Sequence, residues 1–220
     1  MTRNELARIL DHSVLKPEST QRDIEAGIDA VRTLGVGFYC VQPCWVKLAA
    51  RELDGSAARV VSVVGFPHGC DVTHVKARAA SLAADAGARE IDMVIDIGAL
   101  RSGLRDTVAA DIEAVVRAVP NLPVKVILET AALDDVQKLL ACRIACESGA
   151  AFVKTSTGFH ASGGATVDDV RLLRAAVGLN IGVKASGGIR TLADAMTMID
   201  AGASRIGTSA SAAILAAMAD

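Results

Sequence analysis

Aromatic residues are nearly absent from this chain. They make up 3% of its 220 residues against 51% hydrophobic residues overall, so the core has to be built from Ala, Val, Ile and Leu. Charge of one sign is lacking too: 23 Lys and Arg stand against 25 Asp and Glu, a formal net charge of −2. No bulk field therefore argues for nucleic acid or an anionic membrane, and charge on a ligand has to be met by local sites. No apolar run approaches the roughly 18 residues of a spanning helix. The N-terminus, Met1-Thr2-Arg3-Asn4-Glu5-Leu6, carries charge where a signal peptide would carry an apolar stretch. The expected location is the cytoplasm. The cysteines are Cys40, Cys44, Cys70, Cys142 and Cys146, an odd number with no Cys-x-x-Cys pair, which argues against a disulfide framework or a zinc site. Cys142 and Cys146, four apart in a helical pattern, share a face and read as ordinary buried thiols. His12, His68, His74 and His160 are scattered without metal-ligand spacing and read as structural or exposed.

What the chain does have is alternation. Short runs rich in Val and Ile suggest strands at Ile9–Val14, Phe38–Val41, Val60–Gly65, Glu90–Ile95, Val124–Glu129, Ala151–Thr155, Ile181–Ala185 and Arg205–Thr208. Helical patterns follow at Thr20–Leu34, Pro43–Leu53, Val72–Ala86, Leu100–Val119, Asp134–Ser148, Val167–Ala176, Leu192–Ala201 and Ser209–Met218. Strand alternating with helix means a parallel sheet covered by helices. Gly87, Gly149 and Gly202 stand where helices end in the left-handed conformation, and Asp71, Thr166 and Thr191 stand where helix N-caps belong. No Pro- or Ser-rich linker divides the chain. Eight βα units with a short N-terminal helix point to one closed (β/α)8 barrel, a TIM barrel, spanning residues 1–220. A doubly wound open sheet is the runner-up, but it would more naturally carry a Gly-x-Gly-x-x-Gly turn after its first strand.

Two lysines stand at matching places in this pattern. Lys154 in Phe152-Val153-Lys154-Thr155-Ser156-Thr157-Gly158 and Lys184 in Gly182-Val183-Lys184-Ala185-Ser186-Gly187-Gly188 both read Lys-x-Ser-x-Gly, thirty positions apart. Each follows a valine in a run that looks buried, where a charged amine is costly. That is a setting for an amine nucleophile. Other polar residues inside or ending the strands are Asp11, Cys40, Asp92, Asp96, Lys125 and Glu129. Barrel strands bury both faces, so inward residues should be aliphatic unless function intervenes. Lys125 also fits as a structural ion-pair partner of Asp92 or Glu129. Taken together the charges need one another, because a buried charge needs a partner. Barrel active sites lie at the C-terminal strand ends, with phosphate commonly held near strands seven and eight. The loops that follow strands six to eight are Ser156-Thr157-Gly158, Ser186-Gly187-Gly188 and Gly207-Thr208-Ser209, and Arg190 adds a cation.

Four segments in this order resemble deoxyribose-phosphate aldolases: Asp11-His12-Ser13-Val14-Leu15-Lys16-Pro17, Glu90-Ile91-Asp92-Met93-Val94-Ile95, Val153 to Gly158, and Val183-Lys184-Ala185-Ser186-Gly187-Gly188-Ile189-Arg190. The resemblance runs from about Leu6 to Ser209. It implies a (β/α)8 barrel that reversibly cleaves 2-deoxy-D-ribose 5-phosphate to D-glyceraldehyde 3-phosphate and acetaldehyde, a step of deoxyribonucleotide and carbohydrate degradation. It implies Lys154 as the Schiff-base lysine, with Lys184 and Asp92 tuning it and relaying protons. Asp11, Cys40 and Lys125 match further active-site positions, and Thr155, Gly158, Ser186, Gly187, Gly188, Arg190, Gly207 and Ser209 make up the remaining substrate contacts. It implies no metal and no cofactor, small-molecule partners only, and a homodimer or homotetramer.

The chemistry is consistent with these assignments. Only a neutral amine attacks a carbonyl, and an ordinary lysine is almost wholly protonated at neutral pH. A second ammonium nearby with partial desolvation favours the neutral form, and Lys184 is expected to act in this way on Lys154. The iminium then serves as the electron sink that a metal provides in other aldolases. Some family members have a second serine where Ala210 stands, a lysine where Phe159 stands, and a C-terminal tyrosine tail where this chain reads Ala216-Ala217-Met218-Ala219-Asp220. Phosphate binding is therefore expected to lean on backbone amides and Arg190, and a tail-borne proton shuttle to be absent or replaced by water. A different Schiff-base sugar-phosphate aldolase or a transaldolase-like barrel is the alternative enzyme. A non-catalytic sugar-phosphate-binding barrel would explain the glycine loops but not two lysines and an acid inside strands.

Overall fold

Eight parallel strands close on themselves in chain order in the computed structural model of the protein, which describes residues 1–218. Ala219 and Asp220, the end of the tail discussed above, lie outside the described residues. The strands are β1 (Leu10–Val14), β2 (Phe38–Val41), β3 (Arg59–Val64), β4 (Glu90–Val94), β5 (Val124–Ile127), β6 (Phe152–Lys154), β7 (Gly182–Ser186) and β8 (Arg205–Thr208). Pairing of Asp11 with Gly207 shuts the barrel between β1 and β8. The helices are α1 (Arg3–Ile9), α2 (Gln21–Leu34), α3 (Val46–Glu52), α4 (Thr73–Asp85), α5 (Ile97–Arg101), α6 (Arg105–Ala118), α7 (Asp135–Glu147), α8 (Val167–Val177), α9 (Leu192–Asp200) and α10 (Ser211–Ala216). No helix is long and apolar enough to cross a membrane.

Local chemistry explains most boundaries. Thr166 and Thr191 cap α8 and α9 as the sequence suggests, accepting from Asp169 and Asp194 backbone N–H groups. Asp71 does not cap α4. It lies one residue too early: Val72 occupies the cap position, and no side chain bonds there. The single helix expected over Leu100–Val119 is two. Gly103, with φ of 74°, ends α5, and the N–H of Leu104 reaches back to Ala99 O at 3.0 Å. Asp96 caps α5 by accepting from Ala99 N at 2.9 Å, so it is not a lumen residue. β5 stops at Ile127, and Glu129 turns out with φ of 57° to join the next loop. α10 starts at Ser211, because Ser209 and Ala210 belong to the turn after β8.

Val, Ile, Leu and Ala fill the space between barrel and helices. Ile24, Ile28 and Val31 of α2, at helical spacing, are buried in the same core as Tyr39, whose hydroxyl donates to Ile24 O at 2.8 Å. The lumen is different. Barrel interiors are filled by layers of side chains from alternate strands, usually branched aliphatics. Here the register and contacts stack Phe38, Glu90, Phe152 and Arg205 from the even strands as a floor. Asp11, Lys125 and Lys184 from odd strands lie above them with Val61 and Val63, and Cys40, Asp92, Lys154 and Gly207 from even strands lie on top. Gly207 is needed in that top layer: a Cβ there would stand 3.0 Å from Lys184 Cε. Four cations and three acids thus occupy positions that aliphatic residues would normally fill.

Candidate active site

The charged layers converge on Asp92, which is wholly buried. Its Oδ1 accepts from Lys125 Nζ at 2.9 Å. Its Oδ2 accepts from both Lys154 Nζ and Lys184 Nζ, each at 2.8 Å. Lys184 also donates to Asp11 Oδ2, and Lys125 pairs with Glu90. Glu90 in turn accepts from Arg205 Nη1 at 3.1 Å. The guanidinium of Arg205 lies 3.3 Å over the Phe38 ring and 5.2 Å from that of Phe152. Lys154 is the amine with the fewest carboxylate contacts, and it shares its one acceptor oxygen with Lys184.

Burial and pairing compete at each of these groups. Burial alone would raise the Asp92 carboxyl, but the Lys125, Lys154 and Lys184 ammoniums outweigh it and hold the acid well below the usual carboxylate range. Burial pushes Lys184 toward its neutral form, and the Asp11 and Asp92 carboxylates more than reverse this, so its pKa lies above the ordinary lysine value. Lys184 is therefore a stable ammonium beside Lys154. Burial, reinforced by Asp11 and Asp92, pushes the Cys40 thiol up to about 12, leaving it a neutral wall residue.

Lys154 and Lys184 form the base of a cavity of about 580 Å³ at the C-terminal end of the barrel. Asp11 and Cys40 line it, as do Ser186 and Gly207 at the ends of β7 and β8 and Gly158, Gly187, Gly188, Arg190 and Ser209 from the loops after β6, β7 and β8. Another hollow, of about 510 Å³, opens at the opposite end around Arg59, Arg89 and Asn121, away from the lysines. The loop hydroxyls are largely spent on holding loops together. Ser186 Oγ donates to Ser156 O at 2.6 Å, and Thr208 Oγ1 donates to Ile189 O at 2.7 Å. Glu129 accepts from Thr157 N and Oγ1, tying the loops after β5 and β6. The Gly187 backbone has φ of 87°, and a Cβ on it would stand 3.0 Å from Gly164 Cα, so the two loops touch backbone to backbone. No acceptor among the described residues takes the N–H of Gly187, Gly188 or Ser209. Those three amides are among the unpaired backbone donors of the residues lining the cavity.

This layout can be set beside known proteins. The sequence profile described as "DeoC/LacD family aldolase" matches residues 6–217. The chain belongs to the DeoC/LacD family of aldolases. It is 51% identical to a deoxyribose-phosphate aldolase of Streptococcus gordonii over 210 residues, covering 96% of this chain and 95% of that one. A deoxyribose-phosphate aldolase of Bacillus subtilis is also 51% identical, over 211 residues, covering 96% and 94%. Among solved structures, the aldolase QR15 superposes with a TM-score of 0.92 at 39% identity, covering 96% of this chain and 94% of that one. A tetrameric deoxyribose phosphate aldolase from Aeropyrum pernix superposes with a TM-score of 0.90 at 31% identity, covering 98% and 91%.

Two positions suggested as substrate contacts in this DeoC/LacD chain do not reach the cavity. Thr155 is buried, and its hydroxyl accepts from Ser186 N at 3.1 Å and donates to Ser186 O at 3.2 Å, locking β6 to β7. Lys125 lies below the cavity, engaged by Glu90 and Asp92 rather than by Glu129. Asp92 also sits behind the lysines rather than on the cavity wall. Sequence reasoning passed over Glu90 and Arg205, although Glu90 stands two residues before Asp92 and so shares its face. It also passed over Lys16, which lines the mouth with Arg190, and His12, which lines the cavity, stacks on Tyr39 and bonds Ser211 Oγ through Nδ1 at 3.1 Å. Phe159 lines the mouth and packs edge-on against Phe66, ring centres 5.3 Å apart. Among the described residues no group of three or more His, Cys, Asp or Glu side chains could hold a metal ion.

Proposed function

We propose that this chain is a class I aldolase that reversibly cleaves 2-deoxy-D-ribose 5-phosphate to D-glyceraldehyde 3-phosphate and acetaldehyde through a Schiff base on Lys154. The observation that carries this reading is the pair of amines on one carboxylate oxygen, Lys154 and Lys184 on Asp92 Oδ2, at the base of a cavity lined with free backbone N–H groups. The open-chain sugar offers its C1 aldehyde to the neutral Lys154 amine. The carbinolamine loses water to give an iminium, and the Lys184 ammonium, kept charged by Asp11 and Asp92, protonates the departing oxygen. The C3 hydroxyl then gives up its proton as the C2–C3 bond breaks, and that bond's electrons move into the iminium to form an enamine. The proton passes to the Lys184 amine, left neutral by the previous step, and the Asp92 and Asp11 carboxylates stabilise the restored ammonium. Glyceraldehyde 3-phosphate leaves, carbon C2 of the enamine is protonated, and water releases acetaldehyde from Lys154.

The phosphate lies against the N–H groups of Gly187, Gly188 and Ser209, with Lys16 and Arg190 supplying charge at the mouth. On this reading the whole chain is one functional domain acting in the cytoplasm. Because the Aeropyrum pernix relative is tetrameric, we extend a homo-oligomeric state to this chain, which light scattering of the purified protein tests. The function itself is tested by incubating the protein with acetaldehyde and borohydride, digesting it and weighing the peptides, beside a coupled assay for deoxyribose 5-phosphate cleavage. A reduced adduct on Lys154 and turnover that disappears in Lys154→Leu are expected. A stable adduct elsewhere, or cleavage that survives Lys154→Leu, would sink the assignment.

A further inference from the structure

The reaction described above leaves two buried ionic residues of the barrel lumen without a job. Glu90 and Arg205 sit at the floor of the barrel, 2% and 8% exposed, two layers below the reacting lysine and out of reach of the cavity. Burying an ion pair in a core seldom adds stability over aliphatic packing. The barrel nevertheless carries one where branched aliphatics are usual. We infer that Glu90 and Arg205 are positioning residues for the Schiff-base chemistry: Glu90 holds Lys125 onto Asp92 Oδ1, which turns Oδ2 toward the two upper lysines, and Arg205 fixes Glu90 and sets the charge of the lumen. The inference rests on the reading of Lys154 as the nucleophile.

The contacts run in one unbroken chain. Arg205, clamped between the Phe38 and Phe152 rings, donates to Glu90 Oε2. The same oxygen, Oε2, pairs with Lys125, and Lys125 donates to Asp92 Oδ1. With both ends of its carboxylate engaged, Asp92 cannot rotate without breaking a buried ion pair. The charge count gives the arrangement a second effect. The charged and titratable groups of the lumen layers beneath and beside Lys154 are Asp11 from β1, Cys40 from β2, Glu90 and Asp92 from β4, Lys125 from β5, Lys184 from β7 and Arg205 from β8, while β3 contributes only Val61 and Val63. Three carboxylates face three lysines and one arginine, with the Cys40 thiol neutral. The lumen therefore holds one surplus positive charge when every lysine is protonated. Arginine does not give up its proton, and Lys125 and Lys184 each hold two carboxylates. With Lys154 in the neutral form that attack on an aldehyde requires, the charges of the cluster cancel, and Glu90 and Arg205 weigh on that balance with opposite signs.

The test is the pH dependence of acetaldehyde trapping by borohydride at Lys154, read as the pH of half-maximal trapping. Glu90→Gln removes a negative charge and is expected to move that pH down by about one unit, as for a unit charge roughly 9 Å away in a partly screened interior. Arg205→Gln and Arg205→Met remove a positive charge and are expected to move it up by a similar amount. Glu90→Asp and Arg205→Lys keep the charges and return it to the wild-type value. Thermal melting checks that each variant is folded, and the two Arg205 substitutions give two chances of a stable protein. Shifts of opposite sign for the two residues support the inference. No shift, shifts of the same sign, or equal shifts in the charge-keeping variants overturn it while leaving the aldolase reading intact. Failure of the wild-type chain to form any adduct on Lys154 overturns both.

Discussion

Lys154 and Lys184 share one acceptor, Oδ2 of Asp92, and stand directly across from each other on adjacent strands. The repeated Lys-x-Ser-x-Gly spelling is thus a spatial pair. One lysine is kept charged by two carboxylates, and the other has only the oxygen that both of them use. Asp92→Asn keeps the shape of this junction and removes its charge. The rate of deoxyribose 5-phosphate cleavage should fall by about 10²–10⁴-fold, the usual worth of a positioned proton-transfer group. Stability should fall by about 3–5 kcal/mol, because Lys125 and Lys154 lose their shared counter-charge in a buried site. Denaturant unfolding followed beside steady-state kinetics checks both.

The same junction fixes how stability depends on pH. The Asp92 carboxyl is depressed in the folded protein, so its contribution is complete above the unfolded carboxylate value of about 4 and is lost as pH falls toward the folded value. Lys184 is raised, so its contribution is complete below the unfolded lysine value of about 10.4 and is lost only as pH rises through the folded value. The difference in unfolding free energy between wild type and Asp92→Asn should therefore be flat from pH 6 to 9 and shrink in acid. The difference between wild type and Lys184→Met should be flat over the same range and shrink only in strong alkali. Urea titrations across pH are the measurement. A Lys184→Met difference that shrank between pH 6 and 9 would contradict the pairing.

The barrel was legible because short apolar runs rich in Val and Ile alternate eight times with helical patterns, and because strand-borne charge is hard to explain except by a lumen. Lys154, Lys184, Asp92, Asp11 and Cys40 all face that lumen. Two kinds of feature were not legible. The break between α5 and α6 depends on the left-handed backbone of Gly103, which an uninterrupted helical pattern conceals. The fate of hydroxyls depends on strand-to-strand distance: Thr155 and Ser186 look like ligands in sequence, yet the Thr155 hydroxyl bonds the Ser186 backbone and the Ser186 hydroxyl donates to Ser156 O. Glu90 and Arg205 begin their strands, where a charged residue usually marks a strand end in solvent. Only the register, which stacks them beneath Asp92 and Lys184, reveals that they are inside.

In the proposed reaction, phosphate recognition divides between amides and cations. With Phe159 at the mouth and the Ser186 and Thr208 hydroxyls already bonded, Lys16 and Arg190 are the exposed cations left to meet the phosphate. Lys16→Ala and Arg190→Ala should each raise KM for deoxyribose 5-phosphate by about tenfold, in line with one charge-assisted contact of roughly 1.5 kcal/mol. Neither should change turnover of unphosphorylated deoxyribose. An unchanged KM in either variant removes that residue from the phosphate site.

Gly207 separates packing from chemistry at the closing seam of the barrel. A methyl group there would stand 2.9 Å from Ser186 Cβ and 3.0 Å from Lys184 Cε. Its backbone is ordinary extended strand, so Gly207→Ala brings no conformational strain of its own. The near neighbour that can move is the tip of Lys184, a flexible chain end, and moving it pulls the ammonium off Asp92 Oδ2 and Asp11. The variant should stay folded with a loss of about 1–3 kcal/mol, the usual cost of overpacking. Its kcat should drop by at least about tenfold, since displacing a catalytic group by an ångström costs up to about a hundredfold. Trapping at Lys154 should slow in parallel, because the acid that protonates the departing oxygen has moved. A variant with wild-type kcat and trapping would mean that the Lys184 ammonium need not occupy its position on Asp92 for the reaction.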